Sequence, residues 1–321
     1  MSLDKYLAAL QHELNEYSYG NEPKELYEPI TYLMNLGGKR LRPALVLMAY
    51  HLFKDDWQSA LKPAMAIEVF HNFTLMHDDI MDEAPLRRGQ PTVHIKWNRD
   101  VAILSGDVML VTAYDLLAEA EAGNFKKIFK RFNRTAAEVC EGQQIDMNFE
   151  ERGSVSEEEY ITMIKLKTSV LLGFSLELGG RLAEQPEGVV NHLYDIGVNL
   201  GIGFQLKDDI LDVYGDPEKF GKQVGGDIIE NKKTWLMLKA LEMSEPDSEL
   251  HRWVAKESFD PEEKVKAVRA IFTDLGIKEL AEQAMTAYFV KGFDGIAKLN
   301  VPVERKATLK AFADYLFDRE F

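Results

Sequence analysis

Apolar residues recur at three- and four-residue intervals along most of this 321-residue chain, the period of helices that each bury one face. Across residues 3–36 the spacing is broken once, by Tyr19-Gly20-Asn21-Glu22-Pro23, which predicts two helices joined by a turn. Gly37-Gly38 ends the second helix, and Pro43 suits the first turn of a third. Residues 44–52 and 63–82 are strongly apolar with helical spacing, the latter without a breaker before its acidic end. Further helices are predicted over 101–121, 125–148, 160–182 and 192–213. Others follow between Glu245-Pro246-Asp247, Phe259-Asp260-Pro261 and Asn300-Val301-Pro302. Residues 150–159 are acidic, with Ser156 placed to cap a helix three positions before Glu159. No useful stretch alternates with a period of two, and no repeat of 20–50 residues is visible. The pattern predicts an all-α, single-domain protein over 1–321, with the last hundred residues serving only as packing.

Two stretches break the amphipathic rule in the same way. Leu75-Met76-His77-Asp78-Asp79-Ile80-Met81-Asp82 and Gln205-Leu206-Lys207-Asp208-Asp209-Ile210-Leu211-Asp212 each hold Asp-Asp-x-x-Asp, 130 positions apart. Helical spacing stacks Asp78 and Asp82 on one face, and Asp208 and Asp212 on another. Like charges so placed cost an isolated helix roughly 0.2–0.5 kcal/mol per pair. The apolar neighbours offer no solvated surface to relax them. A hard divalent cation such as Mg²⁺, shared with phosphate oxygens, is the natural counter-charge. A single copy would read as a charged surface turn, whereas two facing copies would make a cation-filled cleft.

Cations stand beside these carboxylates. Lys39-Arg40-Leu41-Arg42-Pro43 abuts a predicted helix start, where backbone donors and basic side chains favour an anion. Pro85-Leu86-Arg87-Arg88-Gly89-Gln90-Pro91, directly after the first acidic run, is a turn with two guanidinium forks suited to phosphate. His71 lies about two turns before Asp78, a position that for a lone histidine reads first as core. Lys167 and Thr168, beside Leu171 and Leu172, place a polar pair toward the core. Residues 220–227 form a glycine-rich stretch with Lys222, suited to a flap that brings a cation over an anion, without P-loop spacing. Lys232, Lys233 and Thr234 follow it.

Composition narrows the partners. A formal net charge of −15 argues against nucleic acid or an anionic membrane surface, so an anionic substrate must meet local cations. The single cysteine, Cys140, permits no internal disulfide and is expected to be a buried small side chain in a reducing cytoplasm. No run of 18 apolar residues and no signal-peptide core are present, so a soluble protein without stable membrane insertion is expected.

Taken in order over about 37–234, these motifs resemble the trans-isoprenyl diphosphate synthases of the polyprenyl synthetase family. The resemblance rests on Gly-Gly-Lys-Arg-Leu-Arg-Pro, His71, the first acidic run with Arg87-Arg88, Gly106-Asp107, Gly142-Gln143 with Asp146, Lys167-Thr168, Phe204-Gln205 with the second run, and Gly-Lys-x-x-Gly-x-Asp. It implies a bundle of long helices around a deep central cavity, usually a homodimer, that joins isopentenyl diphosphate to an allylic diphosphate head to tail. By the same resemblance Asp78, Asp82 and Asp208 bind three Mg²⁺ ions per site, supported by Asp79, Asp209 and Asp212. Arg87, Lys167 and Lys222 contact the allylic diphosphate, with Lys232 as a further lysine. Lys39, Arg42, His71 and Arg88 match the isopentenyl diphosphate site, which Arg40 borders. Thr168 and Gln205 lie beside the allylic cation, and Gln143 and Asp146 behind the metals.

Product length is expected to depend on the helix entering the first run. Phe73, five positions before Asp78, sits about 7.5 Å deeper along it, and Thr74 shares Asp78's face. An aromatic five before and a small residue four before resemble enzymes stopping at geranylgeranyl diphosphate, with farnesyl diphosphate as the alternative; Val111 and Tyr114 on the facing helix would adjust the floor. A terpene cyclase would pair one aspartate-rich motif with an Asn/Ser/Glu motif, and here Asp208 to Asp212 stands in that place. A silent partner subunit would have lost the second acidic run or the Lys39–Arg42 site, and both are intact. A non-enzymatic helical scaffold would show no Mg²⁺-dependent turnover.

Overall fold

A computed structural model describes residues 2–120, 122–215 and 225–319. Of the chain, 78% is helical. The strands among the described residues are two residues each, Leu86–Arg87 paired antiparallel with Gln90–Pro91. The chain divides into two compact units, one of residues 1–131, 175–191 and 301–308, the other of 132–174, 192–300 and 309–321.

In the first unit, the helix Leu61–Met81 is the element around which the others pack. Residues Pro63 to Phe70 are buried in succession, which a helix tolerates only when enclosed on all sides. Its principal neighbour is Arg99–Ala118, and the approach is close enough that a Cβ on Gly106 would overlap the His77 ring. Arg99–Ala118 is, among the described residues, the one helix long and apolar enough to cross a bilayer, yet its Ala102, Met109, Ala113, Leu116 and Leu117 are buried in this unit.

In the second unit, the helix expected over 160–182 is interrupted. Glu157–Ile164 opens on the predicted Ser156–Glu159 capping box, and Lys165–Ser169 then widens into a π turn before Val170–Leu182. Two glycine-bearing helices press on that turn. A Cβ on Gly142, in Phe125–Glu151, would stand 2.6 Å from the Lys167 Cα, and one on Gly201, in Glu187–Tyr214, 2.8 Å from the Ser169 Cα. Backbone meets backbone there, which is why both positions need glycine.

Cys140 corrects one expectation, since it is exposed. On Phe125–Glu151 the buried positions Ile128, Phe132, Thr135 and Val139 form one stripe, and Cys140 lies about 100° round from Val139.

Candidate active site

Within the first unit, the end of Leu61–Met81 carries Asp78 and Asp82 one turn apart, closed by an Asp82 N to Asp78 O bond of 2.8 Å. Asp78 is partly exposed and Asp82 exposed. Asp79 points the other way and is 2% exposed. Arg87 clamps it, Nε donating to Oδ2 at 2.8 Å and Nη2 to Oδ1 at 2.6 Å. The small hairpin makes this possible: Arg88 and Gly89, at φ 53° and 74°, turn the chain so that Arg87 faces back to the helix it has just left. Arg87, expected at a diphosphate, is thus held by Asp79 in this structure.

The basic group forms above it. Arg42 Nη1 donates to His71 Nε2 at 3.1 Å. Burial, then Arg42, Arg88, Arg87 and Arg40, holds the His71 imidazole well below the usual histidine range, so the ring is neutral and accepts that bond. Arg88 donates to the Gly37 carbonyl, and its guanidinium covers Gly38 so closely that a Cβ there would meet Nη2 at 2.8 Å. Lys39 is exposed in the same loop. Arg40, expected to border the substrate, is instead 4% exposed and faces the interior.

Phe73 is 9% exposed, its ring 5.7 Å from Phe70 and 4.8 Å, edge-on, from His77. Thr74 bonds back to the His71 carbonyl at 2.8 Å, using its hydroxyl locally. Tyr114 packs on Phe129 with ring centroids 5.5 Å apart. Val111 is corrected: at 59% exposed it lies on the outer side of its helix within this unit.

The second unit arranges the second acidic run differently. Asp209 is 4% exposed and receives the Tyr160 hydroxyl on Oδ2 and Gln205 Nε2 on Oδ1, the latter at 3.3 Å. Thr168 Oγ1 donates to Gln205 Oε1 at 3.4 Å, so Thr168, Gln205, Asp209 and Tyr160 form one chain of hydrogen bonds. Burial, then the Asp227 charge, pushes the Asp209 carboxyl up to about 8. The same two causes push Asp212 up to about 6. Asp227 N donates to Asp212 Oδ2 at 3.1 Å, and Gly225 N to the Asp212 carbonyl at 2.7 Å. Lys167 Nζ donates to Asp146 Oδ2 at 2.5 Å, and Lys232 stands 3.7 Å from Asp227. Lys222 and most of the glycine-rich stretch, residues 220–224, lie outside the described residues.

Two residues here were not anticipated. Tyr160 lies seven positions before Lys167, and nothing local in the sequence marks it as a partner of Asp209. Arg319 corrects the view that the last hundred residues only pack. Its Nη1 is 2.9 Å from Asp208 Oδ1 and its guanidinium 5.0 Å from the Phe204 ring centroid.

Carboxyls raised by burial and then by the Asp227 charge suit a divalent cation, which would favour their ionised form. Among the described residues no three His, Cys, Asp or Glu groups already stand together as a metal cage. Such a cation would complete its shell with substrate oxygens and water.

An all-helical chain with two aspartate-rich helix ends, each beside lysine and arginine, defines a protein that handles diphosphates with metal assistance. Residues 23–272 match the sequence profile of the family described as polyprenyl synthetase. The geranylgeranyl pyrophosphate synthase of Geoglobus acetivorans is 37% identical over 317 residues, 97% of this chain and 96% of that one. The geranylgeranyl diphosphate synthase of Saccharolobus solfataricus is 46% identical over 228 residues, 70% of this chain and 69% of that one. A crystal structure of a geranylgeranyl pyrophosphate synthase is similar at a TM-score of 0.96, with 45% identity and 100% of both chains covered. The chain belongs to the polyprenyl synthetase family. It is a prenyltransferase with the isoprenoid synthase fold.

Proposed function

We propose that the protein condenses isopentenyl diphosphate head to tail with dimethylallyl, geranyl or farnesyl diphosphate and stops at geranylgeranyl diphosphate. The observation that carries this reading is that each acidic run has its own cations within its own unit. Asp78 and Asp82 stand with the cations Arg87, Arg42 and Arg88 and the neutral His71 in one unit, and Asp208 and Asp212 with Lys167 and Lys232 in the other. The names of the relatives and the Phe73-Thr74 pair before Asp78 support the chain length.

The first step breaks the allylic carbon–oxygen bond, the electron pair leaving with the diphosphate. Mg²⁺ ions, three by resemblance to the family, would bind Asp78, Asp82, Asp208 and Asp212 and neutralise the charge that develops there. Lys167 and Lys232, and by resemblance to the family Lys222, would add positive charge to the same group. Thr168 and Gln205 turn their oxygens toward the allylic cation, and their hydrogen-bonded chain to Asp209 fixes that orientation. Lys39, Arg42, His71 and Arg88 hold the isopentenyl diphosphate, whose double bond attacks to form the new carbon–carbon bond. The released diphosphate then takes the proton that restores an alkene. We further propose one functional domain over 1–321, a cytoplasmic location, and a homodimer in which a second copy covers the exposed Ile103, Leu104 and Val111 of Arg99–Ala118.

Incubation with radiolabelled isopentenyl diphosphate and each allylic primer, with Mg²⁺ or EDTA, tests the reading. Linear products of up to twenty carbons are expected with Mg²⁺ and none with EDTA; cyclic products, or no turnover with any primer, would overturn it. Phe73→Ala should lengthen the product by one or more five-carbon units, since loss of the ring opens the floor by roughly 90 Å³ or more of side-chain volume. Chromatography of the dephosphorylated products reads this directly, and an unchanged length removes Phe73 as the floor. Arg319→Leu is expected to lower the Mg²⁺ concentration for half-maximal rate severalfold, because the guanidinium on Asp208 competes with the metal. A raised requirement would mean instead that Arg319 helps to bind substrate.

A further inference from the structure

Glu68 is 2% exposed, three positions before His71 on Leu61–Met81, and no other charged residue of that helix is buried so completely except Asp79, also at 2%. Burying a carboxylate so completely is costly unless it is paired and hydrogen-bonded. Its Oε1 takes Arg40 Nη1 at 2.5 Å and Asn72 Nδ2 at 3.0 Å. Arg40 spends its other terminal nitrogen on the Met34 carbonyl, Nη2 to O at 2.5 Å. One guanidinium therefore joins three elements: the end of Lys24–Asn35, the start of Leu41–His51 and the middle of Leu61–Met81.

The backbone of Arg40 explains why this matters. Arg40 is at φ 48° and ψ 35°, a left-handed conformation that an arginine rarely adopts. It follows Gly37 and Gly38, at φ 82° and 138°, which glycine adopts readily, so Arg40 is the position of this loop whose left-handed conformation nothing local selects. A loop of that kind keeps one shape only if its surroundings impose it. Lys39 and Arg42 flank Arg40 on either side, and Arg42 reaches His71 one turn along from Glu68 on the same helix. With Arg40 turned inward to Glu68, Lys39 is left exposed and Arg42 partly exposed, at His71.

We infer that Glu68 and Arg40 are a positioning pair for the homoallylic diphosphate site. Their buried bonds impose the left-handed loop and so fix where the Lys39 and Arg42 cations stand relative to His71. This rests on the reading of Lys39, Arg42, His71 and Arg88 as the isopentenyl diphosphate site. It adds that affinity there is set by a carboxylate which touches no substrate. The allylic side, carried by Asp78 and Asp82 at the far end of the helix, should not depend on it.

The test is steady-state kinetics of Glu68→Gln, which keeps the shape and removes the charge. The KM for isopentenyl diphosphate should rise tenfold or more, with the KM for the allylic primer and kcat at saturation within about twofold of wild type. An unchanged isopentenyl KM, or an equal rise in both KM values, overturns the inference. The double variant Arg40→Met with Glu68→Leu separates positioning from packing, because an apolar pair of similar volume can restore stability without the geometry. Recovery of the melting temperature with the isopentenyl KM still raised supports the pair as a positioning device, and recovery of both overturns it. Should Glu68→Gln not fold, the double variant decides alone. A wild-type protein that does not turn over at all would instead sink the reading of the site, which distinguishes the two failures.

Discussion

Asp78→Asn should lower kcat/KM by about three orders of magnitude or more with little change in melting temperature, a loss of about 4 kcal/mol of transition-state stabilisation. The two expectations belong together. Asp78 is partly exposed at the end of Leu61–Met81, so its carboxylate contributes little to the packed interior. Its value lies in the cation it would hold against a departing diphosphate, where charge develops in a water-poor site. Asp79→Asn should behave in the opposite sense. Its carboxylate is 3% exposed and accepts the Arg87 fork, so the change strips a buried partner from a guanidinium and costs about 3 kcal/mol of stability. Arg87 at 24% exposed keeps that figure at the low end of the range for buried pairs. Rates at saturating Mg²⁺, set beside thermal denaturation of both variants, read the contrast. Near-wild-type turnover in Asp78→Asn would remove it as a metal ligand.

Gly142→Ala is expected to disturb stability and rate together. A Cβ at this position would stand 2.6 Å from the Lys167 Cα and 2.7 Å from the Leu166 carbonyl carbon, both backbone atoms that cannot rotate aside. Relief requires Phe125–Glu151 to withdraw from the π turn, at a cost of about 2–3 kcal/mol. Asp146 lies one turn beyond Gly142 on the same helix, so withdrawal also pulls it from Lys167 Nζ, now 2.5 Å away. A melting temperature lower by about 5 °C and a kcat lower by about tenfold to a hundredfold are expected. Gly153→Ala is the control, since a Cβ there meets nothing within 4 Å. Equal behaviour of the two variants would show that the contact is not what holds the turn.

The glycine at 142 illustrates how a motif can be legible in sequence while its reason is not. Gly142-Gln143 with Asp146 stands out in the chain, and so do Lys167 and Thr168, but no local rule says that the two segments touch. Their contact falls on the π turn, which interrupts a stretch whose apolar spacing reads as one continuous helix. The same holds for the arginines. The sequence places Arg40, Arg42, Arg87 and Arg88 near carboxylates and suggests phosphate ligands for all of them. The structure assigns Arg40 to Glu68 and Arg87 to Asp79, and seats Arg88 on the Gly37 carbonyl.

What the sequence determined by itself is whatever depends on residues within a few turns of one another. Helix positions, the Ser156–Glu159 cap, the turn at residues 85–91 and the stacking of Asp78 on Asp82 all follow from local spacing and local hydrogen bonding. Tertiary structure alone decided which charge answers which. Arg319 meets Asp208 across 111 positions, Tyr160 meets Asp209 across 49, and Arg40 meets Glu68 across 28. The hydrophobic period states that a face is buried, and it carries no record of what lies opposite. Partners so far apart in sequence are chosen by how the helices pack, and that packing turned a row of similar cations into some that hold the frame and others, such as Lys39, left exposed.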